Sequence, residues 1–369
     1  MSSDDLNSED ILVYFIIGSI IFIIVCIQIS NAIRRSVYKR TRCNALNDEW
    51  EEFGQVSTID PNASNFNNFA LRDFYIKTAY NCCALGDFKN TYVSTCQLKN
   101  VLKQGVRCLD FEIYSVDNKP VIAVSSETSF RVKESYNSLK FSNVLQVIED
   151  HAFSSGNCPN PGDPLILHFR IKSNNSTICD TMAKNIKNIL MPTGRILGRD
   201  YSYENYGTNL GNVPIKKLMK KIIIIVDKSN DIFKGTELEE YVNLASNSVF
   251  MRALRNQDVE FAHNIKELKT YNKKNMTFSM PDLSADDDNN KPLIHTQYGV
   301  QMIGMCYQNN DEHLRYYEKF FNKTGHSFVL KPLSLRYVPV LIDCPKKQDP
   351  AVSYAPREAN LSGVAKIKL

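Results

Sequence analysis

The sequence predicts an α/β fold, either a (β/α) barrel or a doubly wound sheet, preceded by one transmembrane helix. Three observations carry this. Short apolar, β-branched runs recur at residues 107–114, 120–124, 164–171, 221–227, 300–307 and 328–330. Runs apolar on both faces read as strands of a parallel sheet covered on both sides. Helical patterns lie between them, and the alternation occupies roughly 270 residues, a length that suits either architecture. Near the N-terminus, residues 11–29 form one charge-free apolar run.

That run, ILVYFIIGSIIFIIVCIQI, just spans a hydrocarbon core of about 30 Å as a helix. A cleaved signal peptide is opposed by the acidic n-region (Asp4, Asp5, Glu9, Asp10), the length of the apolar run and the lack of a small-residue cleavage site. Arg34, Arg35, Lys39, Arg40 and Arg42 follow the span, and no Lys or Arg precedes it. The positive-inside rule therefore expects residues 1–10 outside and the large C-terminal part in the cytosol, or in the interior of a virus particle bounded by a viral membrane. The same five cations are placed to hold anionic headgroups, at about 1 kcal/mol each near the surface. Residues 30–70 read as a basic, polar juxtamembrane arm, helical at its start.

Within the main part, residues 142–153 place Val144, Leu145, Ile148 and Ala152 at helical spacing, with Ser142 as N-cap. Residues 177–190 and 237–245 are the next helical patterns. Residues 282–291 are a polar acidic loop, and the stretch Asp286, Asp287, Asp288 reads as solvated because it lacks the Gly and terminal Glu of a calcium loop. Residues 341–369 read as an irregular tail. The 369-residue chain is 43 % hydrophobic and 23 % charged, enough to bury a sizeable core. A net charge of +4 marks no basic domain, so nucleic acid is not an expected partner. The ten cysteines are scattered and form no zinc-knuckle or disulfide pattern; a cytosolic domain predicts reduced, mostly buried thiols.

No nucleotide-binding glycine loop, hydrolase elbow or H-E-x-x-H motif is present, and the six histidines have no metal-ligand spacing. His168, inside LILHFRI, reads as a hydrogen-bonded core residue. One constellation stands out. Asp110 and Glu112, two apart in a strand, point to one face. Arg170 lies at the C-terminal end of another strand, where barrels carry their functional groups. From spacing alone, an ion pair between Arg170 and these carboxylates is a structural feature.

Six ordered stretches, LRDFYIKTAYN (71–81), QGVRCLDFEIY (104–114), PVIAV (120–124), PLILHFRIK (164–172), GVQMIGMCYQ (299–308) and FVLKP (328–332), resemble the core strands of the phosphoinositide-specific phospholipase C family. The resemblance implies a TIM-type barrel with an X-like half at 71–228, a short linker at 229–236 and a Y-like half at 237–340. It also implies a site, and the site is rewritten. The two family histidines, general base and acid, match Tyr80 and Val124. A phenol of pKa about 10 is a poor base near neutrality, and valine transfers no proton. The family calcium ligands match Asn81, Asp110, Glu112 and Arg170, and a guanidinium in the ligand shell repels calcium. The headgroup-binding lysines match Ile225 and Asp227, and a headgroup-binding arginine falls near Thr277 or Phe278. The reading that follows is a membrane-anchored pseudoenzyme of this type, a binding or scaffold protein with no cofactor. Its expected partners are membrane lipid, through helix and arm, and a protein. Two alternatives stay open: an active phosphoinositide phosphodiesterase with a non-standard site using His168 or His295 and Ca2+, and a non-hydrolytic phosphoinositide reader.

Overall fold

A computed structural model describes residues 8–64, 66–128, 132–202 and 209–339, and of the tail 352, 356, 358–363 and 365–368. Its strands are β1 (Phe74–Ala79), β2 (Cys108–Val116), β3 (Lys119–Ala123), β4 (Leu139–Lys140), β5 (Leu165–Ile171), β6 (Ile222–Asp227), β7 (Leu244–Ser246), β8 (Met251–Arg255), β9 (Met276–Met280), β10 (Met302–Met305) and β11 (Phe328–Leu330). Its helices are α1 (Ser8–Glu49), α2 (Thr95–Lys103), α3 (Phe141–Ala152), α4 (Thr177–Ile189), α5 (Ile215–Leu218), α6 (Asn256–Glu260), α7 (Ile265–Lys274), α8 (Pro292–Gln297) and α9 (Glu312–Thr324).

Eight strands pair in parallel in the order β7-β6-β5-β2-β1-β10-β9-β8. The order follows the chain around a ring, so the architecture is a nearly closed (β/α) barrel, and the doubly wound alternative is set aside. Its seam lies between β7 and β8, which are joined directly by residues 247–250. Along β2 and β5 the side chains alternate. Leu109, Phe111, Phe169 and Ile171 are wholly or almost wholly buried, and the Phe169 ring packs at a tilt on Phe111 and edge-to-face on Phe141, tying the sheet to α3. The intervening Asp110, Glu112, His168 and Arg170 must then face the barrel interior.

Several sequence expectations are corrected. The 120–124 run is β3, which pairs antiparallel with β2 and lies outside the barrel ring. The third helical pattern, 237–245, is a 3-10 turn over Glu237–Tyr241 followed by β7. Its last residues register against Ile225–Asp227 instead, because a buried edge of β6 offers a ladder that so short a helix cannot match. Ser142 sits inside α3, whose N-cap is Lys140. The acidic loop is not simply solvated. Asn289 and Asn290 are buried and bind the Cys306 and Gly304 backbone, and burial, with Asp87 nearby, pushes the Asp287 carboxyl up to about 6.

α1 is a single continuous helix, the one helix among the described residues long and apolar enough to cross a membrane. The juxtamembrane arm is its continuation and is docked. Leu46 is fully buried with Leu85 and Tyr92, and the Trp50 indole donates to the Tyr307 carbonyl at 3.1 Å. Arg42 donates to the carbonyls of Leu85 and Gln308, so this cation serves the barrel and not lipid. Cys43 and Cys96 form a disulfide, which corrects the expectation of reduced thiols at these two positions. The seven other described cysteines are free, and all but Cys26 are buried. In the tail, a separate unit, Glu358–Leu361 and Ala365–Lys368 form an antiparallel hairpin where irregular chain was expected.

Candidate functional site

The site is built where β2 and β5 lie side by side. Their register sets Asp110 opposite His168 and Glu112 opposite Arg170. Asn81 lies two residues beyond β1 with φ +44°, a left-handed conformation that asparagine tolerates better than most residues. That turn directs its amide to the same place. The structure thus brings together Asn81, Asp110, Glu112 and Arg170, the four positions that the sequence resemblance assigns to calcium ligands. What occupies the centre is the Arg170 guanidinium. Nη2 donates to Asp110 Oδ2 at 2.7 Å and Asn81 Oδ1 at 2.9 Å, Nε to Asp110 Oδ1 at 3.0 Å, and Nη1 to Glu112 Oε1 at 2.7 Å. The Tyr80 ring covers its face, 4.4 Å from Cζ to the ring centroid.

The carboxylates are satisfied all round. Glu112 Oε2 accepts from the Tyr114 hydroxyl at 2.9 Å and the Ser125 amide at 3.0 Å. Asp110 also accepts from the Asn81 amide and meets His168 Nδ1 at 2.7 Å, while His168 Nε2 meets Ser246 Oγ at 2.9 Å. Burial alone would raise the Asp110 carboxyl; the Arg170 charge and the bonds from His168 and Arg170 outweigh it and hold it well below the usual carboxylate range. Burial opposes the Arg170 charge too, and Asp110, Tyr80 and Glu112 more than compensate. The Tyr80 phenol is pushed up, first by burial, so the residue that the resemblance matches to the general base stays protonated near neutrality and has no free base form to accept a proton. Val124, at the general-acid position, is 1 % exposed, and none of Asn81, Asp110, Glu112 and Arg170 exceeds 2 %.

These residues do not fit a calcium ion. The space is filled by a cation, and the carboxylate oxygens that would ligate metal already accept hydrogen bonds. Among the described residues no group of three or more His, Cys, Asp and Glu side chains is placed to hold a metal.

Other expected residues are scattered. Ile225 is buried in β6, and Asp227 accepts from the Ser229 amide and the Asn247 side chain. Thr277 and Phe278 lie within β9, with the Phe278 ring against His168. The arginine near the mouth is Arg255, at the end of β8, which binds the Pro281 carbonyl at 2.8 Å and lies 3.5 Å from the Tyr80 hydroxyl. Sequence reasoning missed it, and missed Ser246. The Ser246, His168 and Asp110 relay has the bonding order of a nucleophilic triad, but all three are fully buried and Asp110 is shared with Arg170. His295 is also fully buried; burial lowers its imidazole to about 4, partly offset by Glu260 and Asp282. Of the basic arm, Arg34, Arg35 and Arg40 are exposed and Lys39 is half-buried.

The fold and site define the class: a parallel (β/α) barrel with a charged cluster toward the C-terminal ends of its strands. Within it, the family model described as "Phosphatidylinositol-specific phospholipase C, X domain" matches residues 68–228, and the Y-domain model of the same family matches residues 226–334. The chain therefore belongs to the phosphatidylinositol-specific phospholipase C family. The solved PLC21 of L. pealei superposes with a TM-score of 0.61 at 19 % identity, covering 75 % of this chain and 39 % of that one. The S. officinalis PLC21 gives 0.61 at 20 %, covering 77 % and 39 %. The chain spans about two fifths of the length of these relatives, and the likeness is one of fold. No curated protein sequence matches it.

Proposed function

We propose that this protein is a membrane-anchored, catalytically silent member of its family that acts as a binding or scaffold protein. The observation that supports this reading most is the Arg170 guanidinium, buried and bonded to Asp110, Glu112 and Asn81 in the place the family gives to calcium. Tyr80 and Val124 add to it, since a protonated phenol does not serve as a base near neutrality and valine transfers no proton. The barrel is taken to face the cytosol or a virion interior, with exposed cations of α1 near lipid. Relocation of the chemistry to His168 or His295 is disfavoured by their full burial.

Vesicles containing phosphatidylinositol and its phosphorylated forms, incubated with the full chain and calcium, separate the readings. Release of inositol phosphate supports a phosphodiesterase. Headgroup-dependent binding without turnover supports a lipid reader. Neither, with retention of a protein in pull-down, supports a scaffold and is the expected result. Turnover lost on His168→Ala or His295→Ala would sink the reading.

A further inference from the structure

The segment that follows α1 runs beside α9 and is pinned at both ends. At its start the Trp50 indole donates to the Tyr307 carbonyl, just before α9. At its end the Ser57 amide donates at 2.8 Å to the carbonyl of Gly325, the residue that caps α9. Between these points the segment leans on α2. There the Gly54 amide meets the Lys103 carbonyl, and the Glu51 and Glu52 carbonyls take the Lys103 and Gln104 side chains. It therefore stands off from α9 and leaves a cleft of about 470 Å³, within the size range of ligand pockets.

The charge in this cleft is one-sided. Arg315, Lys319 and Lys323 line it, four residues apart along α9 and all exposed. Among the described residues none of the three makes an ion pair, and Arg315 Nε donates to the Asp311 carbonyl at 3.1 Å. Glu318 is the one carboxylate among the described lining residues, and it is turned inward. Its Oε2 accepts from buried Lys77 at 2.7 Å and its Oε1 from the Tyr307 hydroxyl at 2.5 Å. Like charges four apart work against a helix, so the row carries a cost that an anionic partner removes.

The hydrogen bonding and the spacing say what kind of anion fits. Asn310 and Asn322 also line the cleft, and each has an enclosed Oδ1 with no partner among the described residues. An enclosed acceptor without a donor is unfavourable. A peptide brings an N–H group with nearly every residue, whereas a fully ionised polyphosphate brings none. From Arg315 to Lys323 the helix rises about 12 Å. Side chains at i, i+2 and i+4 of an extended chain share one face and span about 13 Å.

We propose that this cleft is the docking site for a partner protein, which lays an extended segment with acidic residues at alternate positions along α9. Its carboxylates meet Arg315, Lys319 and Lys323, and Trp50 and Gln55 form the opposite wall. This rests on the reading of the chain as a binding protein and names the chemistry of its partner.

The test uses the full chain in phosphatidylcholine vesicles at low salt. The probes are an end-blocked hexapeptide alternating glutamate and serine, its lysine counterpart, and tripolyphosphate. Trp50 is the chain's one tryptophan and lines the cleft, so its emission reports occupancy without labelling. The glutamate peptide should shift that emission saturably, and the lysine peptide should not. Arg315→Glu/Lys319→Glu, with thermal unfolding like the parent's, should weaken binding by about tenfold or more. Lys323→Gln removes one exposed charge, should weaken binding a few-fold, and serves if the double variant does not fold. No saturable shift together with no calorimetric heat overturns the proposal, as does binding that the folded variants leave unchanged. Tripolyphosphate that competes with the peptide and binds more tightly also overturns it and gives the cleft to small phosphorylated ligands. Release of inositol phosphate from phosphatidylinositol by the same preparation separates the two readings. Peptide binding with turnover keeps the cleft and overturns catalytic silence; no binding and no turnover removes the cleft and leaves that silence standing.

Discussion

At the scale of single residues, the candidate site is organised around one buried charge, the Arg170 guanidinium. Arg170 carries five donors in a rigid fork and stays ionised at any physiological pH. Its burial is tolerable only because Asp110, Glu112 and Asn81 meet those donors. Arg170→Met removes the cation and leaves two carboxylates together in a dry site. We predict a loss of about 3–5 kcal/mol in unfolding free energy, measured by denaturant titration; a neutral outcome would mean the cluster is not buried in solution. A second residue tests burial through pH. The His295 imidazole is depressed to about 4 in the folded chain against about 6.5 when unfolded. The unfolded state therefore binds its proton first as pH falls, and the stability due to neutral His295, complete above 6.5, drains away between 6.5 and about 4. His295→Gln should flatten that slope, by roughly 2–4 kcal/mol over the interval. An unchanged slope would place His295 in solvent. Asp110, Glu112 and Arg170 were legible as a constellation from strand spacing and end position, and the family resemblance supplied Tyr80, Val124 and Asn81. Arg255 and Ser246 were not legible, because their approach to the site depends on which way the barrel closes.

At the scale of elements, strands whose apolar runs are long and β-branched, such as β5 and β6, could be read within a residue or so. The short ones could not. β8 (MRALR) and β9 (MTFSM) each carry only three apolar residues, alternating with polar ones or nearly so; their burial comes from neighbours in the ring and is not written locally. β3 was legible as a strand, yet its antiparallel pairing follows from a two-residue Asp117-Asn118 turn with positive φ at both positions, a hairpin signal that the reading passed over. The Cys43–Cys96 bond was hidden for the same reason as the docked arm: its partners are 53 residues apart and meet only when α1 lies on α2. Closing a loop of that length contributes about 4 kcal/mol in the chain-entropy account. Alkylation of the unfolded, unreduced chain followed by peptide mapping should leave Cys43 and Cys96 unmodified until reductant is added. Modification of both without reductant would mean the pair is open in the cell, as a reducing cytosol favours.

At the scale of the whole molecule, α1 is tied to the barrel by the Cys43–Cys96 bond and the Arg42, Leu46 and Trp50 contacts, and the proposed reading exchanges the barrel's chemistry for an internal ion cluster. The one-sided cations predict that protease added to sealed vesicles leaves the barrel intact when its face is the enclosed one, and that Asn62 and Asn275 carry no glycan in cells. Glycosylated sequons would reverse the orientation and would make the disulfide easy to understand. The central claim is that Arg170 stands where a calcium ion would. Calorimetric titration of calcium into the full chain and into Arg170→Glu, with thermal unfolding of each, tests it directly. The account predicts no calcium heat and no shift in Tm for the native sequence, and calcium-dependent stabilisation for Arg170→Glu, since a ligand that binds only the folded state raises stability. Saturable calcium binding by the native sequence, abolished by changing Asp110 or Glu112, would contradict it.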